Sequence, residues 1–290
     1  MKNVNELKVI FIGGLTNGRI ALEYLNQNKF IDIPLVITHS DTSLPRYVDL
    51  RKEFKELSFI LSDDANNHSS EITELSPDLI LVAGWPGLLS EEILNIPKLG
   101  VIGFHPSRLP YDRGRSVLAW QIEEGYSETA LTMFFYNDLP DSGDILGQEK
   151  IVIEDNDYIN DILNKVDKAT YSLVRAYLPL IRKGVEIRKK QEISEGSFRR
   201  LRTDYDSLID WDQNVQVIFN KIRACSDPYP GAIGIIEEKK YRIWKAEKTL
   251  DNISDNPEKT PIGALKSKSN KKLIRCRDGF IKLLNFEEIK

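Results

Sequence analysis

Only three histidines occur in the chain of 290 residues, at positions 39, 68 and 105. A reaction that needs a base near neutral pH therefore has few side chains to choose from. His105 is distinguished by its setting, Gly103-Phe104-His105-Pro106-Ser107-Arg108-Leu109-Pro110-Tyr111-Asp112-Arg113-Gly114. It closes an apolar run that reads as a strand. Pro106 biases it to an extended backbone and ends the strand there. Side chains two apart on a strand share a face, so position 103 and His105 point into the same cleft. A lone histidine is commonly a hydrogen-bonded structural residue. Strand-end placement, a proline-rich loop and the shortage of other histidines favour chemistry here. A second polar segment, Asn137-Asp138-Leu139-Pro140-Asp141-Ser142-Gly143-Asp144-Ile145, also follows a strand candidate. Its aspartates make a solvated turn, since Asp, Pro and Gly are turn formers, or they supply an acid that orients and charges a histidine base. The residues alone leave both readings open.

The elements that must hold these groups read as alternating strands and helices over the first 150 residues. Strand candidates are Lys8 to Ile12, Ile33 to Thr38, Ser58 to Leu61, Asp78 to Ala83, Gly100 to His105 and residues 128–136. A helix is expected from about Arg19 to Asn26, with Asn17 as its N-cap, and a longer one from about Tyr158 to Lys183. Apolar runs of this length between helices predict parallel strands covered on both faces. The expected architecture is α/β, a doubly wound, mostly parallel sheet. Ligands in such folds sit at the carboxyl ends of strands, which singles out the loops after residues 13, 83 and 105. Gly13-Gly14 could let a substrate phosphate approach closely. It lacks the Gly-x-Gly-x-x-Gly spacing of a dinucleotide site. Residues 184–212 are polar and aperiodic and read as a linker. Beyond them Val215, Ile218, Phe219 and Ile222 mark one face of a helix. Short strand-like pieces follow, including Ile262 to Leu265, and predict a small OB-like β-barrel. The expected domains are 1–190 and 213–290, joined through 191–212.

Composition sets bounds on partners. Hydrophobic residues at 41% and charged residues at 29% describe an ordinary folded chain rather than a disordered one. No stretch approaches the roughly 18 to 20 apolar residues of a membrane span, and Met1 to Leu7 lacks the apolar core of a signal peptide. A cytoplasmic setting is expected. Two cysteines, Cys225 and Cys276, are too few for a thiolate metal site or a disulfide scaffold. No metal is expected, and the thiols read as reduced and partly buried. A net charge of −4 speaks against a nucleic acid as main partner. The locally basic run 266–272 reads more simply as a solvated hairpin turn.

His105-Pro106-Ser107 with Leu109-Pro110 and Arg113-Gly114, then Asp141-Ser142-Gly143-Asp144-Ile145, resembles the folate-dependent formyltransferase family. Ile209-Asp210-Trp211, Asp227-Pro228-Tyr229-Pro230-Gly231-Ala232 and Gly279 to Leu284 are similar to its two-domain members, which append an OB-like domain. The resemblance covers nearly the whole chain and implies an enzyme. In it, a substrate amine attacks the formyl carbonyl of N10-formyltetrahydrofolate, the co-substrate. Family members use an Asn–His–Asp set. The resemblance makes His105 the base or proton shuttle and Asp141 its partner. It places the pterin against Gly84, Trp85, Pro86 and Leu88 and against Asn137, Asp138 and Leu139. By its residue type alone, Trp85 reads equally well as a core aromatic at a strand end.

The family's Asn falls at position 103, where this chain has Gly103. A glycine offers no side-chain donor to an oxyanion, and losing one such donor costs roughly 3 kcal/mol in barrier where it matters. Three explanations compete. Another donor, such as a backbone N–H, protonated His105 or a water, replaces the amide. Activity is weak or the reaction differs. Or the chain binds without catalysis. The intact remainder of the set favours the first, and a glycine could also make room for a bulkier group. For the acceptor amine, the acidic balance ranks nucleotide-linked amino sugars above methionyl-tRNA. Arg108, Arg113 and Arg115 would supply part of a small anionic pocket, or make surface salt bridges, and Tyr229 would help shape the sugar site. The resemblance also suggests a homodimer.

Overall fold

The most apolar runs form the centre of the sheet. In the computed structural model, which describes residues 6–249, 260–268 and 271–290, the chain divides into two units. The first comprises Met1–Gly114, Thr129–Ile151 and Asn164–Phe198; the second comprises Arg115–Glu128, Val152–Leu163 and Arg199–Lys290. Most of the N-terminal segment read for a leader, and the middle of the basic 266–272 run, lie outside the described residues.

Strands β1 (Leu7–Gly13), β2 (Val36–Thr38), β3 (Phe59–Leu61), β4 (Leu79–Ala83), β5 (Val101–His105), β6 (Glu128–Phe135) and β7 (Ile145–Val152) form a sheet in the order β3-β2-β1-β4-β5-β6-β7. Each neighbouring pair from β3 to β5 is parallel. Their carboxyl ends therefore gather at one edge, with Gly13, Ala83 and His105 on it. β4 is buried at every position, as parallel strands covered on both faces require. Each fully buried Leu, Ile or Val here contributes on the order of 1.5–3 kcal/mol. The expected strand 33–38 is shortened to Val36–Thr38. Ile31–Asp32 pairs with β1, Pro34 has no N–H to give a ladder, and β2 begins at Val36. Helix α1 (Leu15–Asn26) begins earlier than expected, with Gly14 rather than Asn17 at its N-cap, and buries Gly18, Ala21, Leu22 and Leu25.

β6 runs antiparallel to β5, with Ile102 opposite Phe135, Gly103 opposite Phe134, Phe104 opposite Met133 and His105 opposite Thr132. This reversal decides the site. β6 carries the chain away from His105, and the loop after it must fold back to reach the histidine.

The expected helix near 158–183 forms as α2 (Ile159–Arg182). In the second unit, α3 (Val215–Cys225) buries Ile218, Phe219 and Ile222 with Trp211, Ile243, Ile274 and Ile281. Its sheet consists of β8 (Ala232–Ile236), β9 (Lys239–Lys248), β10 (Leu265–Lys268), β11 (Lys271–Arg275) and β12 (Phe280–Ile289), all antiparallel, in the order β8-β9-β12-β11-β10. It is a barrel-like sheet, and among the described residues no pairing joins β8 to β10. The strand expected at 262–265 instead begins at Leu265, after a turn at Gly263 closed by Ala264 N–H donating to the Pro261 carbonyl. Cys225 and Cys276 are both free and buried. No described helix is long and apolar enough to cross a membrane.

Candidate active site

His105 ends β5 and is 5% exposed. Its Nε2 lies 2.8 Å from the Asp112 carbonyl oxygen. A carbonyl only accepts, so Nε2 carries a proton in this arrangement. Its Nδ1 faces Asp141 Oδ1 at 3.4 Å. The other carboxylate oxygen, Oδ2, accepts the Gly114 N–H at 2.8 Å. His105 and Asp141, 36 residues apart in sequence, are thus brought together as an acid–base pair inside the first unit.

Both loops are held by groups that the motif reading passed over. Thr132, opposite His105 in the ladder, donates to the Ser107 carbonyl, and Gln148 Nε2 donates to the Leu109 carbonyl at 3.0 Å and to Thr132 at 2.9 Å. Asp112 has a φ of 53°, a strained value for a residue with a side chain. Ser197 secures it by accepting the Asp112 N–H at 2.8 Å. On the second loop Asp141 also sits at positive φ, 55°. Gln191 Nε2 donates to the carbonyls of Asp141 at 3.0 Å and Gly143 at 2.6 Å. A β-carbon on Gly143 would lie 1.8 Å from the Phe135 carbonyl oxygen, so only glycine permits this return of the chain. Asn137 Oδ1 accepts the Leu139 N–H and the Ser142 hydroxyl and so shapes the loop from within. The only sequence signal for Gln191 and Ser197 was the lack of periodicity in the stretch that holds them.

Gly103 shares the His105 face, and the space beside it is filled. A β-carbon built there would lie 2.3 Å from Cε1, 2.5 Å from the hydroxyl oxygen and 2.6 Å from Cζ of Tyr136. Tyr136 follows β6, donates its N–H to the Val101 carbonyl, and stacks on Phe134 at 5.1 Å. From opposite Val101 its side chain leans along the face and across Gly103. Burial and the Asp141 charge push its phenol well above its ordinary pKa. The signal in sequence was alternation, with Phe134 and Tyr136 on one face of the strand.

Gly13 and Gly84 are needed by close backbone packing. A β-carbon at Gly13 would lie 1.9 Å from the Ala83 oxygen, and one at Gly84 2.1 Å from the Gly14 oxygen. Trp85 is half-buried, stacked on His39 at 4.6 Å, and His39 Nε2 bonds the Gly84 carbonyl at 2.8 Å. That makes His39 a structural histidine. Pro86, Leu88, Asp138 and Leu139 are exposed, with Leu88 at 69% and Leu139 at 58%. Arg108 is exposed on the His105 loop. Arg113 is half-buried, and its Nε is enclosed with no hydrogen-bond partner among the described residues. Arg115 and Tyr229 belong to the second unit, where Tyr229 donates its N–H to the Ser226 carbonyl at 2.9 Å. Among the described residues no group of three or more His, Cys, Asp or Glu is arranged to hold a metal ion.

Residues 7–177 match the family described as formyl transferase, and residues 202–290 match the formyl transferase C-terminal domain. A methionyl-tRNA formyltransferase of Caldanaerobacter subterraneus subsp. tengcongensis is 28% identical, over 97% of this chain and 92% of its own. Among solved structures, the N-formyltransferase of Helicobacter canadensis, in complex with folinic acid and dTDP-3-aminofucose, is similar with a TM-score of 0.73 at 19% identity, over 97% of this chain and 100% of that one. HypX from Aquifex aeolicus in complex with tetrahydrofolic acid is similar with a TM-score of 0.69 at 18% identity. The chain covers 45% of HypX, and 98% of the chain takes part.

Proposed function

The chain belongs to the formyl transferase family, and from that premise we propose that it moves a formyl group from N10-formyltetrahydrofolate to the amine of a nucleotide-linked amino sugar. The observation that carries the reaction is the His105–Asp141 pair, 3.4 Å apart at the end of β5. The exposed Leu88 and Leu139, on two loops of the first unit, offer apolar surface suited to a flat pterin. Main-chain groups around Gly84 and Asn137 to Leu139 would position it. The co-substrate supplies a formyl carbon as electrophile.

The chain's own groups then manage protons and charge. Asp141 holds the imidazole in place and stabilises it when it is doubly protonated. His105 receives the proton that the attacking amine must lose, at Nδ1, directly or through a water held by Asp141. The same proton can then go to the departing folate nitrogen. Arg113, with an enclosed and unpartnered Nε, provides a guanidinium for a phosphate of the nucleotide, and Arg108 adds positive charge on the same loop. The net charge of −4 supports a small anionic substrate over a large polyanion.

A second reading, formylation of methionyl-tRNA, is favoured by the 28% identity to a methionyl-tRNA formyltransferase along nearly all of both chains. Incubation with N10-formyltetrahydrofolate and a panel of nucleotide-linked 3-amino and 4-amino sugars separates the two. Tetrahydrofolate release with a sugar supports the first. Release with charged initiator tRNA alone supports the second. Release with neither favours binding without catalysis.

A further inference from the structure

The side chain missing at position 103 is replaced in space by one from the next strand. The β-carbon that an Asn would need there falls within 2.6 Å of three atoms of Tyr136, one of them the hydroxyl oxygen. That hydroxyl has no hydrogen bond to any described residue, and it stands on the face that presents His105. Several other donors nearby are committed. His105 Nε2 is bound to the Asp112 carbonyl and Nδ1 faces Asp141. On the His105 loop the N–H groups of Ser107, Leu109, Tyr111, Asp112, Arg113 and Gly114 are all engaged.

We infer that Tyr136 is a further catalytic residue, whose hydroxyl donates the hydrogen bond to the formyl oxygen that an asparagine at position 103 would otherwise give. The inference rests on the formyl-transfer reading. As the amine nitrogen bonds to the formyl carbon, the carbonyl π pair moves onto oxygen, and the Tyr136 O–H meets that charge. The ammonium proton passes to His105. The oxygen's pair then re-forms the carbonyl and the bond from carbon to N10 breaks. N10 keeps that bond's electrons and takes the proton from His105. Tyr136 keeps its own proton throughout and is not consumed. Desolvation and the Asp141 carboxylate hold the phenol protonated at neutral pH, the state a donor requires. The register explains why glycine is needed. With any side chain at 103, the ring could not cross the face.

Tyr136→Phe keeps the ring and removes only the donor. On whichever amine the wild type formylates, sugar or methionyl-tRNA, kcat should fall by about 10²–10³-fold with KM little changed. A second readout needs no acceptor. With ¹³C-formyl-labelled N10-formyltetrahydrofolate bound, the formyl carbonyl stretch should lie at lower frequency in the wild type than in Tyr136→Phe. Gly103→Asn alone should lower both Tm and kcat, because it collides with the ring. Joined to Tyr136→Ala, it should recover activity relative to Tyr136→Ala alone. Wild-type kcat in Tyr136→Phe, identical carbonyl stretches, or a Gly103→Asn that gains activity with Tyr136 in place would each overturn the assignment. A wild type active only on tRNA would overturn the sugar reading and leave these comparisons intact.

Discussion

His105 was legible from residue types alone, because few histidines compete with it and a strand end presents it. By residue type Asp141 was legible only as one of several aspartates in a turn; the family resemblance singled it out, and the structure sets its Oδ1 3.4 Å from His105 Nδ1. Tyr136 was not legible as a site residue. Its meaning depends on which residue it crosses on the neighbouring strand, and pairing register is not written in either strand by itself. His105→Ala should reduce formyl transfer by at least about 10²-fold, with the thermal unfolding midpoint near that of the wild type. A variant that keeps most of its turnover would remove the proposed proton route. Arg113→Ala should raise KM for the nucleotide sugar and leave kcat nearly unchanged, since phosphate holding acts on ground and transition states alike. Steady-state kinetics on the two variants separate these roles.

At the scale of elements, the parallel half of the sheet followed from its apolar runs, whereas the strand read through Pro34 begins only at Val36, because Pro34 has no N–H to give a ladder. The reversal at β6 did not follow, because a strand buried on both faces looks the same in either direction. That reversal forces the loop after β6 to double back, and Gly143 is the position that permits it. Gly143→Ala places a β-carbon 1.8 Å from the Phe135 oxygen. It should cost about 1–3 kcal/mol and lower kcat by displacing Asp141, measured by calorimetry and turnover together. Gln191→Ala should leave stability nearly unchanged and still lower kcat, because it frees the carbonyls of Asp141 and Gly143. Gln191 lies in a stretch that reads as linker, where nothing in residue type or period announces a clamp.

For the molecule as a whole, composition pointed to an ordinary folded chain, and the second unit's short strands pointed to a barrel-like sheet. The end of that sheet was misplaced, because the turn at Gly263 displaces the strand to Leu265. The buried thiols give the second unit a pH signature. Burial pushes the Cys276 thiol up to about 12 and raises Cys225 as well. Below an ordinary thiol pKa of about 8.5 both states are protonated and stability does not depend on either group. Above it the unfolded chain loses a proton that the folded chain keeps. Stability therefore falls as pH rises toward 12, at up to about 1.4 kcal/mol per pH unit for Cys276. Urea midpoints between about pH 8 and 11 should drop less steeply in Cys276→Ala than in the wild type.

The most direct measurement of what the whole molecule does is tetrahydrofolate formation from N10-formyltetrahydrofolate, followed with nucleotide-linked amino sugars beside charged initiator tRNA. Release with an amino sugar, lost in His105→Ala, is the expected result. Release with the tRNA alone, or with a sugar at an unchanged rate in His105→Ala, contradicts it.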